Sequence, residues 1–403
     1  MQESFGSLEM SARIRRDSAL MKAHALIDWE GLRPLLRGLY KREASCGGGQ
    51  EPIDPLLMFK ATLLGQWHSL SDPKLEAALN VRIDFMHFCG IGLTDAVPDE
   101  STLCRFRNRL IHAGKLAPLL AAVNAQLQGH GLMVANATGA VIDATLVASA
   151  ARPKSMTIIE HDTDTDAAAE PDTTPSDAAD APAAEGHNVT QTTSADPDAT
   201  WLKKGKKSYF GFRVYTTVDS GDGYVRGVHT APANQSEPTH FEAAVDSADF
   251  KPKRSYADKG FSSRANRAHL HKRGIKSALM HKAQRNTPLS SRQKSANKRI
   301  SKTRYIVEQC FGTMKRLFGM SRASYIGSKK VNAQFTLKAI CLNLLKAANK
   351  ICLRTESVAV VRPPCAQWAE GDEKRAEKRV VSSSINTLLT RNHFALAACS
   401  ALL

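Results

Sequence analysis

What this chain lacks narrows it first. Its eight cysteines, at positions 46, 89, 104, 310, 341, 352, 365 and 399, include no C-x-x-C pair and no histidine partners at zinc-ligand spacing. That argues against a zinc module or a disulfide framework and for a reducing, cytoplasmic compartment. The first residues are mixed and polar, unlike a secretory leader, and no apolar run approaches the length of a membrane span. Acid is scarce overall, with 39 Asp and Glu against 55 Lys and Arg, a formal charge of +16. Base is absent from one stretch: residues 155–200 hold eleven acids and no Lys or Arg. The remainder therefore sets 55 basic against 28 acidic side chains, a net charge of +27. So strong and so unevenly placed an excess of base points to a polyanionic partner, nucleic acid before any other.

The length suffices for two or three domains. Residues 1–130 read as an all-α region, expected to bind DNA. Pro55 opens a helix seed, and Ser71-Asp72-Pro73 opens a second, with Asp72 expected as the N-cap. A third helix from Ser101 sets Leu103, Phe106 and Leu110 on one face and Arg105, Asn108, Arg109 and His112 on the other. That basic face suits either a DNA groove or plain solvent, and Arg105 and Arg109 are its candidate DNA contacts. From residue 138 to 353 the pattern turns to strands and helices: a strand at 141–147, a hairpin of 209–217 and 224–230 around an Asp/Gly-rich turn, then helix, strand, helix, strand and two long helices. Residues 155–200, made of Asp, Ala, Thr and Pro, interrupt it as a low-complexity insert expected to lack order. The tail at 354–403 fits no pattern.

Three acids stand out by their settings. Asp143 lies inside the apolar run Val141 to Val147, Asp258 ends the short run Tyr256-Ala257, and Glu308 sits on a helical pattern. An acid inside an apolar strand is costly without a partner. The element order is that of a ribonuclease-H-like α/β domain with a mixed five-stranded sheet, in which the first and fourth strands are neighbours and Asp143 meets Asp258. Three carboxylates together repel one another unless divalent cations neutralise them, and such ions perform phosphoryl chemistry. Mg²⁺ suits the donor set, as two ions, with Mn²⁺ expected to be tolerated. Arg304 and Lys315 fall within about 60° of Glu308 on the helix, where they are expected to hold phosphate. Ile306, Cys310, Met314 and Leu317 are expected to share the packing face. Two further candidates lie after the insert: the run Lys203, Lys204, Lys206, Lys207 as contacts to a DNA backbone, and Trp201 as a base-stacking ring or an anchor for the end of the insert.

These residues resemble a known family, the DDE transposases of bacterial insertion sequences, and specifically the insertion sequence 5 family. The likeness covers most of residues 50–350. It is carried by Pro52 to Lys60, Leu70-Ser71-Asp72-Pro73, Pro98 to Thr102, Arg105 to Leu110, Ile142-Asp143-Ala144-Thr145, Lys203 to Lys207, Ala257-Asp258-Lys259-Gly260-Phe261 and the Glu308 helix. The family spacing Tyr-x2-Arg-x3-Glu-x6-Lys is met by Arg304, Glu308 and Lys315, with Ser301 where the Tyr is expected. The resemblance implies a homodimer that binds the element's terminal inverted repeats, cleaves at its ends and joins the 3′-hydroxyls to target DNA, without contact to a membrane.

Overall fold

Asp54 shows how the local sequence starts a helix: its side chain accepts a hydrogen bond from Leu56 N, with Pro55 at the first helical position. The helix that follows, Pro55–Trp67, is apolar on nearly every side and correspondingly buried. In this computed structural model the described residues are 14, 18–40, 52–135, 137–151, 153–160, 187–193, 195–284 and 287–351. The helices before the first strand are α1 (Ala19–Leu26), α2 (Arg33–Leu36), α3 (Pro55–Trp67), α4 (Asp72–Val81), α5 (Ile83–Cys89), α6 (Glu100–His112) and α7 (Leu116–Gly129). Asp99 caps α6 by accepting from Thr102 N at 2.6 Å.

Asp72 departs from its expected role. Ser71 holds the N-cap position of α4, and the Asp72 carboxylate instead takes the Arg107 guanidinium at 2.6 and 2.8 Å. Arg107 is buried on the same face of α6 as Leu103, Phe106 and Leu110, so its charge demands a partner more strongly than the helix end does.

The strands are β1 (Gly139–Ala148), β2 (Lys154–Glu160), β3 (His187–Thr193), β4 (Thr200–Lys204), β5 (Lys207–Asp219), β6 (Val225–Pro232), β7 (Arg254–Ala257) and β8 (Lys276–Leu279). Six of them form one sheet in the order β4-β5-β1-β7-β8, with β6 also paired to β5. The sheet is thus mixed but six-stranded where five were expected. The extra strand is β4, joined to β5 through Gly205-Lys206, with Gly205 at φ +62° supplying the left-handed turn. The expected hairpin turn is present. Asp219 accepts from the backbone N–H groups of Gly221, Asp222, Gly223 and Tyr224 at 2.6 to 3.1 Å, which locks the β5–β6 loop.

The stretch expected to be without order begins and ends in structure, since β2 pairs antiparallel with β3. Its middle, residues 161–186, and the tail from 352 lie outside the described residues.

The sheet has a core on each face. Ile142, Tyr215, Ala231 and Ala257 meet helices α8 (Phe241–Asp246) and α9 (Arg264–Lys272). Val141, Val147, Phe212, Val214 and Val218 meet α10 (Ser291–Leu317) and α11 (Ser328–Lys350). Helix α11 packs on β6 and also on α1, α3 and α7, so the helical region and the sheet share one interior. All described residues fall in one compact unit. A polar tie runs through that interior: Asn343 of α11 accepts from Val225 N and donates to the Asn124 side chain and to Val225 O, at 2.7 to 2.9 Å.

Candidate active site

Register brings two of the acids together. Strands β1 and β7 run parallel with Ile142 opposite Ala257, so the next residues, Asp143 and Asp258, emerge side by side. Parity places the Asp143 side chain on the α10 face, with its cross-strand neighbour Thr216. The chain leaves β7 at Asp258, which caps a short 3-10 turn, Lys259–Phe261, by accepting from Lys259 N at 2.7 Å. A β-carbon at Gly260 in this turn would meet the Glu237 carboxylate, which would have to swing aside. Glu237 in turn pairs with Arg213 at 2.8 Å.

Helix α10 supplies the rest. It starts with a capping box, in which Ser290 accepts from Gln293 N while the Gln293 side chain accepts from Ser290 N. It packs through Ile300, Val307, Cys310, Phe311 and Met314. Leu317, expected on this packing face, is 46% exposed, because the helix ends there and the buried Phe318 turns inward in its place.

The three acids meet at one cation. The Arg304 guanidinium lies 2.8 Å from Asp143, 3.4 Å from Asp258 and 3.9 Å from Glu308. The i, i+4 contact that the sequence suggests is the longest of the three, and the shortest joins residues 161 apart in the chain. Nothing local in the sequence signals that bond. Exposure of the acids rises outward: the Asp143 side chain is 17% exposed, Asp258 33% and Glu308 62%. Burial pushes the Asp143 carboxyl above its ordinary range, against the pull of Arg304 and of the bond from Ala144 N.

The donor set fits a hard divalent cation. It consists of carboxylate oxygens from three rigid elements that already converge on a positive charge. The acids are linked through the guanidinium, and among the described residues no three acid, His or Cys side chains are drawn up as a ready-made metal cluster.

The other predicted residues lie apart from this centre. Lys315 is exposed on α10, two turns beyond Glu308. Lys203, Lys204, Lys206 and Lys207 are exposed around the β4–β5 turn. Thr216 is the β5 partner of Asp143, so this turn is about ten residues, or ~33 Å, further along β5. Trp201 is 50% exposed and leans on Phe210, its cross-strand partner, with ring centroids 5.3 Å apart. Arg105 and Arg109 are exposed on α6; Arg105 donates to Ser101 and Arg109 lies over the Tyr40 ring. None of these contacts the acids among the described residues. No local pattern singles out Arg107, buried against Asp72 and stacked on Tyr325. Nor does any pattern single out Tyr305, an exposed aromatic beside Arg304.

A family described as a transposase domain (DUF772) matches residues 8–109, and one described as a transposase DDE domain matches residues 157–344. The second span holds Asp258 and Glu308 and begins after Asp143. The transposase for insertion sequence element IS1106 of Neisseria meningitidis serogroup B is 40% identical over 248 residues, 61% of this chain and 78% of that protein. A solved piggyBac transposase synaptic complex with hairpin DNA aligns over 82% of this chain and 74% of its own, at 10% identity and a TM-score of 0.41. No helix among the described residues is long and apolar enough to cross a membrane.

Proposed function

Since the chain belongs to the insertion-sequence transposases of the DDE class, we propose that it is the DNA transposase of such an element, of the insertion sequence 5 group. In this reading it binds the element's terminal inverted repeats as a homodimer, cuts DNA at the ends and joins the freed 3′-hydroxyls to target DNA in the bacterial nucleoid. The observation that carries the proposal is the convergence of Asp143, Asp258 and Glu308, from β1, the end of β7 and α10, on one point.

Asp143, Asp258 and Glu308 would hold two Mg²⁺ ions, which supply charge neutralisation at the phosphate and a lowered pKa for the attacking hydroxyl. In cleavage, a water oxygen bonds to phosphorus, the bond to the 3′-oxygen breaks, and a 3′-hydroxyl and a 5′-phosphate result. In joining, that 3′-hydroxyl attacks a target phosphate and displaces another 3′-oxygen, so the number of phosphodiester bonds is conserved. The side chains position this chemistry. Asp143 and Asp258 are fixed by adjacent parallel strands, and Glu308 by a helix packed on the same face. The Arg304 fork has the geometry for two phosphate oxygens, and Lys315 adds a point charge two turns along.

The test is an assay with Mg²⁺, end-labelled DNA from the element's termini and a target plasmid, comparing wild type with Glu308→Gln. Cleavage and joining that vanish in the variant while end binding persists support the reading. End binding without cleavage by either protein sinks it.

A further inference from the structure

The helix that carries Glu308 also carries a continuous solvent-facing stripe that the triad does not use. At 100° per residue, Lys294, Lys298, Tyr305 and Arg316 lie within about 40° of one another on α10, with Lys302 on one flank and Lys315 on the other. All six side chains are exposed. Among the described residues none of the five cations has an acid at ion-pair distance, although shorter-range pairs occur elsewhere on the surface. The stripe runs ~33 Å along the helix from Lys294 to Arg316. Tyr305 stands at its middle, 53% exposed, one turn before Glu308 and about 60° around the helix from it.

Exposed cations alone would serve solubility or a duplex backbone. A large exposed ring set among unpaired cations is instead the arrangement that holds an unpaired strand, because every base offers a face to stack on while cations follow the phosphates. Nothing in the packing explains Tyr305: its neighbours Ile306 and Val307 turn inward, and it meets no other ring among the described residues. We propose that this face of α10 is the track for an unpaired DNA strand at the element end, with Tyr305 stacking on a base next to the phosphate that would react beside Asp143, Asp258 and Glu308. The proposal rests on the transposase reading and adds to it a strand state and a positioning residue.

The experiment measures binding of two fluorescein-labelled probes by anisotropy. One is a blunt duplex of the element's terminal repeat, and the other is the same duplex with a short unpaired 3′ tail. Tyr305→Ala is expected to weaken the tailed probe by about 5- to 150-fold, the range for losing one stacked base, and to leave the blunt probe unchanged. Tyr305→Phe, which keeps the ring, retains the wild-type preference. Replacing Lys294, Lys298 and Lys302 together with Gln lowers the salt dependence of binding by about 2 to 3 in log–log slope. Equal affinity of Tyr305→Ala and wild type for the tailed probe overturns the proposal, as does a loss shared equally by both probes. A wild-type protein that shows the tyrosine effect but never cuts these ends with Mg²⁺ strikes the transposase reading and leaves the strand track standing.

Discussion

Replacing Arg304 with Gln takes one cation away from three carboxylates. The guanidinium is 13% exposed and its nearest acid, Asp143, 17%. At an effective dielectric of 20, one unit pair at that 2.8 Å separation attracts by about 6 kcal/mol, most of which is returned as desolvation. Breaking a fully buried pair costs about 3–5 kcal/mol and an exposed one about 0–1. This pair lies toward the buried end, and the contacts to Asp258 and the well-exposed Glu308 add little. Arg304→Gln should therefore lose about 2–3 kcal/mol in protein freed of metal. Urea unfolding in a chelating buffer reads this as a lower midpoint at unchanged slope.

The pH dependence has a definite sign. Burial holds the Asp143 carboxyl above its ordinary 3.8 while Arg304 pulls it back. A folded-state value above the unfolded one means that ionising Asp143 costs stability; the cost is absent below pH 3.8 and complete once pH has passed the folded value. Losing Arg304 raises that value further. The gap between wild type and variant should be widest at neutral pH and should close toward pH 3.8. Mg²⁺ should restore the variant more than it stabilises wild type, since an ion bound only by the folded chain adds RT ln(1 + [L]/Kd) and no guanidinium then competes. A variant as stable as wild type at pH 7 without metal would refute the reasoning.

Other perturbations read other parts of the molecule. Arg107→Met strands Asp72 and should cost about 2–3 kcal/mol in urea unfolding, with part of the loss recovered by adding Asp72→Asn. Lys338 is 2% exposed on α11, and burial lowers its pKa to about 8. A depressed lysine makes wild-type stability rise as pH climbs from about 8 to the unfolded 10.5; Lys338→Met, which also gives up the Lys338 bond to Phe318 O, should abolish that rise in urea unfolding followed across the window. A β-carbon at Gly211 would collide with the Val147 carbonyl and stand 2.7 Å from Ser149 N, so Gly211→Ala should cost about 1–3 kcal/mol or more, read as a lower thermal midpoint.

What the sequence disclosed and what it hid divide along a physical line. Periodicity and capping are local, so α3, α6, α10, the β5–β6 hairpin and the strand before Asp258 were legible within a few residues. The pairing of Asp143 with Asp258 was legible too, because the order of elements constrains which parallel strands are neighbours. Charge partners are not local. Asp72 reads as a cap until Arg107, 35 residues on, is found buried against it. Arg304 reads as a phosphate ligand until the sheet brings Asp143 to it. Strand β4 was missed because its exposed lysines show no alternation of apolar and polar side chains, and only Gly205 hints at the turn. The Arg304 guanidinium holds the three carboxylates in one arrangement, and under the proposed function it would have to leave them before it could take a phosphate. On the proposed transposase reading, binding of DNA and loading of metal would favour one another, since each would remove the partner that opposes the other.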